Sequence, residues 1–126
     1  MVINKFVLDH SGHKIKRGEI WLANFDPGFG TELRKNRPAL IISSNEVNKH
    51  HPRVIVLPIS TKRYSGLSVI RIASKESGLD KESVILPAEI RAVDKIRLTR
   101  KLGRISKNKL TEVEEALKLV LGLIES

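Results

Sequence analysis

Three side chains in the sequence have the chemistry of a phosphate-binding site. Arg37 stands at the start of an apolar segment, residues 36–43, and Ser60 and Thr61 follow a second apolar segment, residues 54–59. The planar guanidinium of an arginine donates paired hydrogen bonds to phosphate oxygens, and a neighbouring hydroxyl would add another donor. The sequence therefore predicts a phosphate site formed by Arg37 and a hydroxyl. The alternative is that these are ordinary residues at strand ends.

Aromatic and basic residues surround these positions in the sequence. Phe25 and Phe29 lie in a glycine-containing loop before Arg37, and Lys62 and Arg63 follow the two hydroxyls. Aromatic rings stack on the bases of single-stranded nucleic acid, and cations bind its backbone. We therefore predict an RNA-binding role for these four residues, with packing of Phe25 in the core as the alternative.

The charge of the chain favours a polyanionic partner. Its 126 residues include 23 Lys and Arg against 14 Asp and Glu, a formal net charge of +9. Eight of the basic residues and only one acidic residue lie between positions 91 and 109, a net charge of +7. Nucleic acid is the leading candidate partner, ahead of an acidic protein or an anionic membrane surface. A solvated charged face is the alternative interpretation of the basic tract.

Composition also limits the compartment and the cofactors. The sequence has no cysteine, which excludes disulfides and thiolate metal sites, and its apolar runs are shorter than the roughly 20 residues that span a bilayer. We predict a soluble, cytoplasmic protein with no membrane segment. His50 and His51 could shuttle protons, but they lie in a polar connection without a partner at a suggestive spacing, so we expect an exposed loop. No metal-ligand motif is present, and we expect no metal or other cofactor.

The elements that must position these residues are mostly strands. We predict a single domain over residues 1–126, in which residues 1–14 form a loose N-terminal extension. Short β-branched segments separated by turn residues predict a compact barrel with strands at 19–24, 38–43, 54–59, 68–72, 83–86, 90–94 and 101–105. The apolar pairs and triplets at 41–42 and 55–57 predict strands that are covered on both faces.

Two segments have helical signals. Apolar residues recur at three- and four-residue steps from Leu110 to Ile124, which predicts a C-terminal amphipathic helix. Ser106 is its expected N-cap, and a capping box at residues 111–114 is the alternative start. A short helix is predicted at residues 44–48, capped by Ser44.

Several ordered motifs of this sequence resemble one family. The matching segments are RGEIW (17–21), DP (26–27), GTE (30–32), RPALII (37–42), VIVLPIST (54–61), SVILPAEIRAVDKIRL (83–98) and EALKLVLGLI (115–124). Together they resemble the MazF/PemK toxins of type II toxin-antitoxin systems, over roughly residues 15 to 125 and in the same order.

The resemblance implies a fold, an activity and partners. The fold is mainly β, an SH3-like barrel of the MazF/PemK type with flanking helices and a C-terminal amphipathic helix. The activity is that of a metal-independent, sequence-specific endoribonuclease, an mRNA interferase, that acts as a homodimer on single-stranded RNA and is neutralised by an acidic antitoxin. A non-catalytic nucleic-acid-binding barrel, or a toxin of similar fold that acts on a protein such as gyrase, would belong to other functional classes.

The resemblance also assigns roles to residues. It places the active site at Arg37 and the hydroxyl of Ser60, and Thr61 remains a candidate because it follows at once. The implied reaction is attack by the ribose 2′-hydroxyl, which leaves a 2′,3′-cyclic phosphate and a 5′-hydroxyl. Because arginine stays protonated near neutral pH, we assign Arg37 to charge stabilisation and Ser60 to hydrogen-bond donation.

A further group of RNA-binding candidates comes from the same comparison. The resemblance adds Thr31, Glu32 and Glu89 to this group. Residues 33–36 are bulkier and more basic than the glutamine and small residues of many relatives, so Arg34 and Lys35 are expected to give this protein its own base preference. The complete predicted RNA-binding set is Phe25, Phe29, Thr31, Glu32, Arg34, Lys35, Lys62, Arg63 and Glu89.

Overall fold

The computed structural model describes residues 14–25, 36–62 and 69–125. In these ranges the chain forms seven strands and three α-helices. In chain order they are β1 (Glu19–Asn24), β2 (Asn36–Ile41), α1 (Asn45–His50), β3 (Arg53–Ser60), β4 (Ile70–Ile72), α2 (Ser74–Ser77), β5 (Ser83–Ile85), β6 (Arg91–Asp94), β7 (Leu98–Arg104) and α3 (Lys107–Val120). Short 3₁₀ helices at Pro87–Glu89 and Lys95–Arg97 precede and follow β6.

The strands form one antiparallel sheet that curls on itself. The strand order is β4-β5-β3-β2-β1-β7, and β6 pairs with the same edge of β3 that β5 uses. The first half of that edge, Arg53–Val56, pairs with β6, whereas Ile59 and Ser60 pair with β5. The sheet bends where the partner of β3 changes from β6 to β5, and it forms a half-barrel. Helix α3 follows as the C-terminal helix. The predicted mainly β fold is confirmed.

Alternation along the strands divides the core into two clusters. Successive strand side chains point to opposite faces, so each strand contributes to both clusters. The cluster on the face away from α3, which we call the inner cluster, is Ile15, Trp21, Ala23, Phe25, Ala39, Ile41, Val54, Val56, Val93 and Leu98. The outer cluster includes Ile20, Leu40, Leu57, Ile59, Ile85 and the α3 residues Val113 and Ala116. The inner and outer faces of the sheet are named from these two clusters.

Long-range pairing changes the predicted ends of β2. The sequence placed this strand at residues 38–43, but its ladder ends at Ile41. The backbone N–H groups of Ile42 and Ser43 both point to the carbonyl oxygen of Ile55, at 2.9 and 3.3 Å. Two residues facing one is the arrangement of a β-bulge. The prediction that Ile55 is covered on both faces is wrong, because this side chain is 38% exposed beside the exposed Ala92, its partner on β6.

Helix starts follow the local signals. The side chain of Ser106 accepts the backbone N–H of Lys109 at 3.1 Å, and that of Ser44 accepts the N–H of Val47 at 3.2 Å. Both predicted N-caps are confirmed, and the later start at the capping box is not used. Helix α2 was not predicted. None of the helices in the described ranges is long and apolar enough to cross a membrane, and the predicted N-terminal extension lies outside these ranges except for Lys14.

Candidate active site

Strand register brings Arg37 and Ser60 to the same place. Arg37 is the Cα partner of Ala23, and Ala39 is the partner of Pro58. When the β2–β3 register is continued by two residues, Arg37 lies across from Ser60. Directly opposed residues of antiparallel strands project to one face. Arg37 and Ser60 therefore share the inner face, at the edge of the sheet where β1 and β3 end and β2 begins.

The Arg37 side chain is held partly inside the protein. The residue is partly exposed, and its Nε atom is almost completely shielded from solvent. A charge in such a position interacts more strongly with an incoming anion than a charge in bulk water does, because the local dielectric is lower. Arg37 thus has the placement expected of a phosphate-binding group.

The two candidate hydroxyls face opposite sides of the sheet. Ser60 is 5% exposed, and its Oγ accepts the backbone N–H of Lys62 at 3.1 Å. Thr61 is exposed and lines a groove with Leu22 and Pro38 on the outer face. A hydroxyl that accepts one hydrogen bond still has its own hydrogen to donate. The geometry therefore favours Ser60 as the partner of Arg37.

Phe25 packs in the core beside a second arginine. The Phe25 ring is 5% exposed and belongs to the inner cluster. The guanidinium of Arg91 lies 5.0 Å from the centre of this ring, within the range of a cation–π interaction. This arrangement matches the packing alternative for Phe25, whose role in RNA binding stays a prediction.

A basic cavity of about 380 Å³ is lined in part by Phe25 and Arg91. Its lining includes Asn24, Phe25, Arg91, Arg97 and the ion pair between Arg53 Nε and Asp94 Oδ1, which are 3.0 Å apart. Arg91 and Arg97 belong to the basic tract, but the sequence analysis did not select them as site residues. The available signal was alternation on β6, since Arg91 is two residues before the inward-facing Val93.

Other predicted RNA-binding residues divide into two groups. Lys62 and Glu89 are exposed, the first just after β3 and the second in the 3₁₀ helix before β6. The rest lie outside the described residues: Phe29, Thr31, Glu32, Arg34, Lys35 and Arg63. The RNA-binding role of every member of the set remains a prediction.

Glu19, in the segment RGEIW, anchors the start of β1. Its carboxylate is buried and accepts the N–H of Lys16 at 2.9 Å and the indole N–H of Trp21 at 3.0 Å. Lys101 Nζ on β7 lies 2.9 Å from the other carboxylate oxygen. Because three donors satisfy this buried acid, the start of β1 is held against β7.

Arg17 connects three elements at the opposite end of the sheet. Its Nε donates to the carbonyl oxygen of Ile42 at 3.0 Å, its Nη1 lies 2.8 Å from Glu114 of α3, and its backbone N–H donates to Asn45 of α1. These contacts give Arg17 a structural function in docking α3 against the sheet.

Both histidines are exposed, as predicted, but His50 is the last residue of α1 rather than part of a loop, and His51 is the C-cap of that helix. His50 Nε2 lies 3.1 Å from Glu46, and His51 Nδ1 accepts the backbone N–H of Arg53. Across residues 14–25, 36–62 and 69–125, no three His, Asp or Glu side chains are grouped as metal ligands would be.

Comparison with known proteins identifies the family. A family profile described as PemK-like, MazF-like toxin of type II toxin-antitoxin system matches residues 16–121. The chain belongs to this family. The resemblance predicted from the sequence is therefore confirmed, and the match includes all of the strands and all of α3.

Several solved protein structures share the fold. A mycobacterial endoribonuclease in complex with its cognate antitoxin matches with a TM-score of 0.73 and 23% identity, covering 89% of this chain and 99% of that one. Toxin MazF-mt6 of Mycobacterium tuberculosis gives 0.73 and 23%, covering 85% and 99%. MazF of Deinococcus radiodurans gives 0.72 and 24%, covering 86% and 96%.

Proposed function

We propose that this PemK/MazF-like toxin is an endoribonuclease that cleaves single-stranded RNA at the sheet edge formed by Arg37 and Ser60. The observation that carries the proposal is their register, which sets a partly buried guanidinium and a hydroxyl on one face. The family match and the fold shared with proteins described as endoribonucleases support the same activity. A net charge of +9 suits a polyanionic substrate.

The reaction is an internal transfer within the RNA backbone. The ribose 2′-oxygen attacks the adjacent phosphorus and loses its proton, a new 2′-O–P bond forms, and the P–O5′ bond breaks. The products are a 2′,3′-cyclic phosphate and a 5′-oxygen that takes up a proton to become a hydroxyl. The nucleophile belongs to the substrate, so the protein supplies positioning and charge stabilisation and the proposed scheme uses no metal ion.

Arg37 and Ser60 have separate roles in this scheme. The guanidinium of Arg37 binds the phosphoryl oxygens and stabilises the negative charge that grows in the phosphorane and on the leaving oxygen. The hydroxyl of Ser60 donates to the same group while accepting the Lys62 N–H. Accepting that bond polarises the hydroxyl and makes it a stronger donor.

Partners follow from the family and from charge. We propose that an acidic antitoxin neutralises the toxin, that the active form is a homodimer, and that both proteins are cytoplasmic. Complexes of a mycobacterial endoribonuclease with its antitoxin and of MazE with MazF from Deinococcus radiodurans support the first of these points.

The test is cleavage of a long single-stranded RNA in excess EDTA. Wild-type protein should cut at a limited set of sequences, and Arg37→Ala should reduce the rate by about 10²–10³-fold, the usual cost of one oxyanion donor. Arg71→Ala is the matched control, because Arg71 is an exposed arginine on β4. Intact RNA with folded wild-type protein would reject the proposal, and RNA binding without cleavage would indicate a non-catalytic binding protein.

A further inference from the structure

A groove of about 550 Å³ lies on the outer face of the sheet, next to the proposed active site. Part of its lining is apolar: Leu22, Pro38, Leu79 and Leu102. Most of its other lining residues are polar or charged, and a concave site that combines apolar surface with polar groups is typical of small-ligand binding. Its volume and lining suit a ligand with a flat apolar body and a charged end.

The groove begins where the active site ends. Pro38 directly follows Arg37, and Thr61, another lining residue, directly follows Ser60. Because adjacent strand residues face opposite sides, the groove and the Arg37–Ser60 site meet at one edge of the sheet. A chain bound at that edge can continue into the groove.

Strand register sets a cation across the groove from this edge. Leu22 is the Cα partner of both Pro38 on β2 and Arg100 on β7, so the three side chains form a row across neighbouring strands. At the usual strand spacing of about 4.8 Å, Arg100 is about 10 Å from Pro38 along this row.

A second cation comes from the connection between α2 and β5. Lys81 lines the groove and, like Arg100, is exposed. Neither of them forms an ion pair within the part of the chain that the structure describes, whereas Lys101 in the same lining is paired with Glu19 at 2.9 Å. Asp80 adds one carboxylate to the lining. The two cations give the groove a net attraction for an anion.

Two glycines hold the walls of the groove together. Gly78 has a φ of +77°, and a Cβ added there would overlap the carbonyl oxygen of Leu102. A Cβ added at Gly103 would overlap the carbonyl oxygen of Ser77. The backbone after α2 therefore contacts the backbone of β7 directly, which fixes the wall that carries Lys81 against the strand that carries Arg100.

We propose that this groove binds an RNA nucleotide that flanks the cut, with its base and ribose on the apolar floor and its phosphate between Arg100 and Lys81. This inference rests on the proposed function. RNA fits better than an acidic peptide because the groove continues directly from the phosphate site and combines apolar lining residues with two cations, of which Arg100 lies two strand spacings from Pro38. The site is therefore a subsite that lengthens the contact with substrate.

The experiment compares Arg100→Gln with Arg104→Gln on RNA substrates of increasing length. Arg104 is an exposed arginine on the same strand and does not line the groove. For wild type and Arg104→Gln, KM should fall as nucleotides are added beside the cut. For Arg100→Gln, KM on the longer substrates should rise by about tenfold, as expected for a lost charge-assisted contact, with kcat unchanged.

Salt dependence gives a second readout. The slope of log KM against log salt on the longer substrate should fall by about one for Arg100→Gln and less for Arg104→Gln. Thermal unfolding of both variants checks that neither has lost its fold.

Other results would overturn the subsite. Equal KM values for the two variants at every length reject it. Unchanged RNA kinetics combined with weaker binding of polyglutamate by Arg100→Gln would identify an acidic-protein site instead. If the wild-type protein cleaves no RNA, the proposed function fails. The subsite is then tested separately by binding of 2′-deoxy oligonucleotides, and equal affinities of Arg100→Gln and Arg104→Gln would reject it.

Discussion

Replacement of the two neighbouring hydroxyls one at a time tests the register of the active site. In the reaction that we propose, Ser60→Ala removes a hydrogen-bond donor from the phosphorane. A hydrogen bond to a charged group contributes about 1.5–3 kcal/mol, so kcat should fall by about 10–150-fold. The same change removes the acceptor of the Lys62 N–H, which should lower the free energy of unfolding by about 1 kcal/mol.

Thr61→Ala is the matched control for this experiment. Thr61 is exposed and faces the outer groove. Its removal should change stability by less than about 0.5 kcal/mol and the rate by less than about threefold.

Single-turnover cleavage of a fluorescent RNA oligonucleotide by excess enzyme isolates the chemical step. The free energies of unfolding come from urea titrations of the same preparations. A large loss of rate in Thr61→Ala with near-normal Ser60→Ala would refute the placement of Ser60 opposite Arg37. Equal losses of cleavage rate in the two variants would show that the Ser60 and Thr61 hydroxyls do not lie on opposite faces of the sheet.

Three further predictions concern the framework. Arg17→Ala should lower the free energy of unfolding by about 1–2 kcal/mol with kcat unchanged, because Arg17 pairs with Glu114 of α3; an unchanged urea midpoint would contradict this. Gly78→Ala should lower the free energy of unfolding by about 2–4 kcal/mol, and Gly122→Ala should lower it by about 1 kcal/mol. Both residues have a positive φ, but only at Gly78 would the new Cβ overlap backbone atoms. Equal decreases in the thermal unfolding temperature of the two variants would argue against the close contact. Burial lowers the pKa of Lys95 below its usual 10.5. The unfolded chain then binds more protons between the two pKa values, so the stability of wild type relative to Lys95→Met should increase as pH rises through that window, and a flat difference would contradict it.

Local signals in the sequence were sufficient for much of the fold. Residues 19–24 were predicted as a strand and form β1 with those bounds. Ser44 and Ser106 were predicted as N-caps because capping depends on the cap residue and the N–H groups two or three positions later. The spacing of apolar residues in α3 likewise reports directly which face is covered.

Features that depend on distant parts of the chain were not predicted. The bulge at Ile42 and Ser43 exists because both N–H groups use one carbonyl of β3. Ile55 is exposed because the outer cluster of core residues does not extend to its position on β3. The wall of the outer groove depends on the contact between Gly78 and β7, which no local pattern encodes.

The candidate site shows the same division. Arg37 and Ser60 were selected as candidates from residue chemistry and family resemblance, and the register of β2 on β3 favours Ser60 over Thr61 as the partner of Arg37. Arg91 was visible only as one charge in a basic tract until the structure placed its guanidinium over Phe25. Residue types therefore indicated the chemistry, and tertiary pairing selected which members of each set meet.

The central claim is that Arg37 and Ser60 promote attack by the substrate's own 2′-hydroxyl. The most direct measurement uses an RNA oligonucleotide that contains a mapped cut and carries a single 2′-deoxy ribose on the 5′ side of that cut. Our account predicts that this oligonucleotide binds with normal affinity and is not cleaved, whereas the all-ribose oligonucleotide gives a 2′,3′-cyclic phosphate by mass spectrometry. Cleavage of the 2′-deoxy oligonucleotide at the same position would contradict the account.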